Sequence, residues 1–259
     1  MIHKPKVGIF GLTGCAGEQI VILNCEDELF DLAGNMDIKS FHTAMTGNDT
    51  ECALDIAFVE GAVVQPDEIE ELKRIRARSR LLIAIGTCAV WGGVPAMKNE
   101  VSREELMEQI YGSAGKSFDS VPAQPLRNFV KVDYSISGCP IEKEQFLDAV
   151  SSLLHGDLPN LPNYSVCSEC KMRENECLLT ERNQLCLGPI TVAGCNALCP
   201  SHGLPCIGCR GPVEEANVAS EIKILQEKGF SLVDIHNRMR MFGAKDVFAR
   251  KEIKKKQVV

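Results

Sequence analysis

The sequence predicts an α/β fold. A parallel, doubly wound sheet spans residues 1–157, a cysteine-rich segment follows over 163–212, and a polar, helix-rich tail closes the chain over 213–259. Three observations predict it. Apolar, β-rich runs alternate with amphipathic helix patterns through the first region. The stretch "HGDLPNLPNY", with Pro159 and Pro162, then breaks the alternation. Beyond it, eight of the thirteen cysteines fall between Cys167 and Cys209.

The strand runs are "KVGIFGL" (6–12), "LDIAFVEGA" (54–62), "RLLIAIG" (80–86) and "VKVDYSISG" (130–138). Their near-continuous apolar character suits a sheet covered on both faces. In "DEIEELKRIRARS", Ile69, Leu72 and Ile75 form one helical stripe, with Asp67 and Glu70 at capping-box spacing. "SREELMEQIYG" repeats that spacing with Ser102 and Glu105 and stops at Gly112. "PIEKEQFLDAVSSLLHG" places Pro140 at a first helical position and Gly156 at the stop.

Three cysteines map onto the sheet. Cys15 follows the first run in "LTGCAGEQ", Cys88 the third in "IGTCAVWGG", and Cys139 the fourth in "ISGCPIE". Each sits just past a strand's carboxyl end in a glycine-containing turn. Open α/β sheets bind ligands at that edge, so the three thiols are expected to meet there, with Cys139 as N-cap of the helix opened by Pro140. A four-iron cluster wants a fourth ligand. Cys25 lies roughly 10 Å along the helix from Glu18, and Cys52 roughly 20 Å away at the opposite edge. Glu18 stands where a CxxC would have its second cysteine and can offer an oxygen, a harder donor than thiolate. Facing solvent or a partner is its other reading.

The cysteine-rich segment is spaced almost palindromically: two, six, eight, eight, three, six and two residues separate its cysteines. Cys167/Cys170 and Cys206/Cys209 are CxxC pairs. Cys177, Cys186, Cys195 and Cys199 lie between them. No charged-then-apolar leader opens the chain, no apolar stretch suits a bilayer, and the chain is long, so reduced cytoplasmic thiols and metal are expected rather than a disulfide framework. Structural zinc draws four ligands from two short pairs, whereas "CNALCP" has the C-x3-C-P ending of ferredoxin-type runs, in which the last cysteine serves the other of two clusters. Two 4Fe–4S clusters are therefore favoured over zinc, which remains the alternative.

A net charge of −7 argues against nucleic-acid binding. The Lys254–Lys256 run reads as a solvated terminus, and His202 as a surface-loop residue. Trp91 and Met97 are expected to pack at a subunit interface.

The combination "LTGCAGE", "DIAFVEGA", "IGTCAVWGG", "VDYSISGCPIEKEQFL", "CLGPITVAGCNALCP" and "PCIGCRG" resembles the small subunit of cytoplasmic nickel–iron hydrogenases, of the sulfhydrogenase and NAD(P)-linked type. The resemblance covers almost the whole chain. It implies a flavodoxin-like domain carrying a proximal cluster on Cys15, Cys88 and Cys139. It implies medial and distal 4Fe–4S clusters on the eight later cysteines, in a ferredoxin-like domain. It also implies a nickel–iron large subunit as partner, flavin and iron–sulfur diaphorase-type subunits beyond it, and electron transfer without a catalytic residue in this chain. Glu18 departs from the commoner pattern, which has cysteine there. The alternatives are a complex I-like quinone reductase subunit, whose adjacent first-motif cysteines "GCAGE" lacks, and a zinc-stabilised scaffold.

Overall fold

Apolar segments whose side chains alternate between two faces stack edge to edge, and five of them form a wholly parallel sheet. The strands are β1 (Lys6–Gly11), β2 (Asp37–Phe41), β3 (Leu54–Glu60), β4 (Ser79–Ile85) and β5 (Tyr134–Ile136), in the order β2-β1-β3-β4-β5. That is the flavodoxin-like order, in which chain direction across the sheet switches between β1 and β3 and leaves a crevice at the carboxyl ends. The structure, a computed structural model, describes residues 4–25, 28, 31 and 34–243. The chain divides into two compact units between Pro159 and Asn160.

In the first unit the helices are α1 (Gly17–Leu23), α2 (Pro66–Arg78), α3 (Gly86–Trp91), α4 (Arg103–Tyr111) and α5 (Lys143–Leu154). Successive residues of β3 serve opposite faces. Ala57 and Val59 join Phe10, Leu82 and Ala84 beneath Leu72 and Ile75 of α2. Phe58 points the other way and meets Phe146 of α5 edge-on, with ring centroids 5.4 Å apart. Each such large side chain, fully buried, contributes about 1.5–3 kcal/mol.

Three expectations shift. β2, "DIKSF", was not anticipated: an edge strand pairs on one side only and needs no continuous apolar run. The α2 capping carboxylate is Glu68, not Glu70, because Pro66 starts the helix earlier. Glu68 accepts from the backbone N–H of Gln65 (2.9 Å) and Val64 (2.7 Å) and from the Thr13 hydroxyl (2.7 Å), tying the helix to the loop after β1. Finally, α5 begins at Lys143 with Glu142 as its N-cap, so Cys139 is not a capping residue. Cys139 and Pro140, joined by a cis peptide bond, belong to the turn before it.

The second unit holds α6 (Val166–Met172), a 3-10 turn (Gly188–Ile190), α7 (Leu198–Ser201), α8 (Val218–Glu227) and α9 (Leu232–Met239). Val166, Leu187, Ile190, Leu225 and Ile235 are buried at its centre. Asn217 and Ser231 cap α8 and α9 by accepting from the N–H groups of Ser220 and Asp234, both at 3.1 Å. Most of the unit's described residues are loop, and the cysteine segment contributes Leu178, Leu179, Leu185 and Leu187 to the buried core. The Lys254–Lys256 run lies outside the described residues. Among the described residues no helix is long and apolar enough to cross a membrane.

Ahead of β5, Asp133 accepts from the Leu82 N–H (2.9 Å) and from Arg76, and pairs with Lys131 at 3.0 Å. Burial alone would raise its pKa, but these donors outweigh it and hold the carboxyl down at about 2. A depressed folded-state pKa stabilises above the unfolded value of 3.8, and the contribution is lost as pH falls towards 2. Asp133→Ala should cost about 1–3 kcal/mol in urea unfolding at neutral pH, with the deficit shrinking as the pH is lowered through that window.

Candidate metal centres

The first centre lies at the carboxyl edge of the sheet. Cys15 follows β1, Cys88 sits in the first turn of α3 directly after β4, and Cys139 follows β5. Ala16 adopts a left-handed conformation (φ 59°) that turns the chain from Cys15 into α1. Glu18, in the first turn of α1, points inward and is 5% exposed. Its carboxyl lies against Gly86, where an added Cβ would come within 2.2 Å of Oε1.

Cys88 and Cys139 are close enough to the other groups to feel their charges. Burial pushes the Cys88 thiol up to about 11, with the charges of Glu18 and Cys15 adding to it and the Val94 N–H opposing. Cys139 rises to about 11 through burial, then Cys88, Glu18 and Cys15. Glu18 is pushed up to about 8 by burial, by its hydrogen bond to Glu60 and by the Glu60 charge. Glu60 ends β3, is 1% exposed, and accepts from the Gln19 backbone N–H (3.1 Å) and Nε2 (2.8 Å). Glu60 was not among the expected site residues. Its signal was an acid closing the apolar run "IAFVE" at the ligand-binding edge of the sheet.

In the second unit Cys167, Cys170, Cys177 and Cys186 line one cavity of about 50 Å³, together with Leu178, Leu179, Gly188 and Pro200. Burial pushes Cys167 up to about 12, helped by the charges of Cys186, Cys170 and Cys177. The Cys177 thiol is lowered: burial is outweighed by the Thr180 hydroxyl and by the Thr180 and Leu179 N–H groups. Cys195, Cys199, Cys206 and Cys209 do not line that cavity. Cys206 is pushed upward mainly by burial, with the charges of Cys186 and Cys209 adding. The two groups touch where the Cys206 N–H donates to Cys186 Sγ at 3.3 Å.

Glu169, inside the first CxxC pair, was also unanticipated. Its buried carboxylate accepts from the N–H groups of Gly194 (2.7 Å) and Ala197 (3.1 Å), fastening the Cys195 loop to α6. His202 is exposed beyond α7. Cys25 is buried with its thiol on the Val21 carbonyl (3.4 Å), and Cys52 lies at the amino end of β3, away from Cys15, Cys88 and Cys139. Trp91 is half-buried under the Arg127 guanidinium, 4.4 Å from its ring centroid, while Met97 is exposed.

Among the described residues no three His, Cys, Asp or Glu side chains close on a single point, as one metal ion requires. The donor sets fit a larger group. Acids crowded away from water resist ionisation, and a cationic iron core offsets that cost while spacing its ligands at separate corners.

Comparison with known proteins places this geometry. The family model of the NADH ubiquinone oxidoreductase 20 kDa subunit matches residues 15–153. Sulfhydrogenase 2 subunit delta of Pyrococcus furiosus is 39% identical over 222 residues, 86% of this chain and 92% of that protein. A subunit of the vhu F420-non-reducing hydrogenase of Methanocaldococcus jannaschii is 31% identical, with 96% of this chain and 98% of that protein covered. A chain of an NAD+-reducing [NiFe]-hydrogenase in the H2-reduced state superposes with a TM-score of 0.55 at 28% identity, over 62% of this chain and 96% of that one. The chain belongs to the 20 kDa subunit family of NADH ubiquinone oxidoreductase, among its hydrogenase small-subunit members.

Gly93 (φ 56°) tests the first centre. A Cβ there would lie 2.5 Å from Cys88 Sγ and 2.7 Å from its Cα, and backbone cannot yield as a side-chain tip can. Gly93→Ala should displace Cys88 and abolish the iron signal of this centre while sparing those of the second unit, read by low-temperature EPR.

Proposed function

We propose that this chain is the electron-transfer small subunit of a cytoplasmic nickel–iron hydrogenase, with three 4Fe–4S clusters and no catalytic residue of its own. The observation that carries the reading is the convergence of Cys15, Cys88, Cys139 and Glu18 at the switch point of the sheet. Cys15, Cys88, Cys139 and Glu18 would hold the proximal cluster. Cys167, Cys170, Cys177 and Cys186, which share a cavity, would hold a second cluster, and Cys195, Cys199, Cys206 and Cys209 the third. When bound, such clusters supply one-electron storage and relay between the large-subunit active site and an acceptor.

The chain's own residues hold and insulate. Glu18 would give up its proton to hold iron, and the cost of charging it, set by burial and by Glu60, is one that a cation would offset. Glu60 fixes the Glu18 carboxyl from behind and is itself fixed by Gln19. Val166, Leu178 and Leu179 exclude water from the cavity, which keeps the thiolates desolvated. Around the first centre the exposed Ile20, Val94 and Met97 offer an apolar rim for the large subunit. Flavin and iron–sulfur subunits of the diaphorase type would take the electrons onward. The quinone-reductase reading is weaker, because the family model ends at residue 153 while the hydrogenase relatives extend over the cysteine-rich unit.

Iron and sulfide analysis of the anaerobic complex should return three clusters' worth in this chain; stoichiometric zinc with little iron would leave only the scaffold reading. Cys170→Ser should remove one EPR signal, whereas Cys25→Ser should leave all of them and H2-dependent dye reduction intact. Glu18→Cys should keep the proximal cluster and shift its potential. Glu18→Ala should leave an exchangeable iron at that corner, and an unaltered spectrum in both variants would take Glu18 off the ligand set.

A further inference from the structure

Glu221 occupies the first turn of α8, a position that ordinarily faces water, yet it is 2% exposed. Its Oε1 has no hydrogen-bond partner among the described residues. A buried carboxylate without full pairing costs stability that a leucine or glutamine would avoid. Its surroundings give that cost a use. α8 packs on the 3-10 turn Gly188–Ile190. The same turn touches two thiols: a Cβ added at Gly188 would lie 3.3 Å from Cys167 Sγ and 3.5 Å from Cys186 Sγ. The Glu221 charge acts on both, pushing each thiol's pKa upward.

Little else among the described residues faces this carboxyl. The Gly188–Ile190 turn has no ionisable side chain. On α9, Asp234 and His236 are exposed and Arg238 is half-buried. On α8 itself, Lys223 and Glu227 are exposed and pair with each other at 3.8 Å. The Glu221 charge is therefore unneutralised by a described neighbour and is felt mainly by the cysteines.

Resting on the assignment of a cluster to Cys167, Cys170, Cys177 and Cys186, we propose that Glu221 tunes that cluster electrostatically: its buried negative charge lowers the cluster's reduction potential. A fixed anion in a low-dielectric interior disfavours each added electron far more than one in water does. Burial alone pushes the Glu221 pKa up to about 7, so the charge is present above neutrality and absent below it. The tuning is accordingly strongest on the alkaline side.

The test is an EPR-monitored redox titration of the anaerobic complex, with dithionite as reductant, following the signal that Cys170→Ser removes. At about pH 8.5, well above the carboxyl's pKa, Glu221→Gln should raise the reduced-to-oxidised ratio at a given potential about tenfold, a midpoint about 59 mV more positive. At about pH 5.5 the variant and the parent should coincide. Glu221→Asp, which keeps the charge, should behave as the parent. Equal midpoints in Glu221→Gln and the parent at both pH values overturn the proposal. If Glu221→Gln loses the cluster, the parent decides: a midpoint that falls as pH rises through neutrality supports the proposal, and a level one overturns it. A parent complex with no iron–sulfur signal refutes the cluster assignment itself, an outcome distinct from an unshifted midpoint.

Discussion

Acid groups crowded together and withdrawn from water resist ionising, and both units of this chain are organised around that resistance. From the usual thiol value of 9.0, Cys88 and Cys139 are each pushed up to about 11 and Cys167 to about 12, and Glu18 is raised with them. No lysine or arginine contributes to holding the Cys88, Cys139 or Glu18 charges among the described residues. Ionising these groups in place costs free energy that a cation among them would offset. The sheet, its turns and the cysteine loops therefore hold these groups where a cationic group would relieve their mutual cost.

The two units meet this constraint differently. In the first, three strand ends and one helix terminus bring Cys15, Cys88, Cys139 and Glu18 to one edge, and the rigidity comes from a sheet packed on both faces. The core of Phe58, Phe146, Leu72 and Leu82 includes none of these four side chains. In the second, Cys167 and Cys170 lie on α6 and Cys199 on α7, the other cysteines lie on loops, and hydrogen bonds tie these segments together. Glu169 holds the Cys195 loop, and the Cys206 N–H holds Cys186.

Much of this was legible in the sequence. The apolar runs located four of the five strands because central parallel strands are buried on both faces and must be apolar throughout. β2 escaped because its edge position permits Asp37 and Lys39. The placement of Cys15, Cys88 and Cys139 followed from strand ends alone, since topology brings those ends to one crevice. Side-chain networks were harder to read. Glu60 and Glu169 matter through partners far away in sequence, Gln19 and the Gly194–Ala197 loop, and local pattern carries no record of such pairings. The start of α5 was misplaced because a proline suits both a first helical turn and the turn before one.

The contrast in thiol exposure sets an order of events during maturation. Cys15 is exposed at the rim of a sheet that can form without it, so iron can enter the first unit after that unit has folded. Cys186 and Cys206 are buried, and a finished fold would bar the way to them. A cluster on either thiol would have to be in place before the chain closes over it. On that order, a chain made without iron would have its first unit ready for loading and its second unit still open, so closure of the second unit would follow the iron supply.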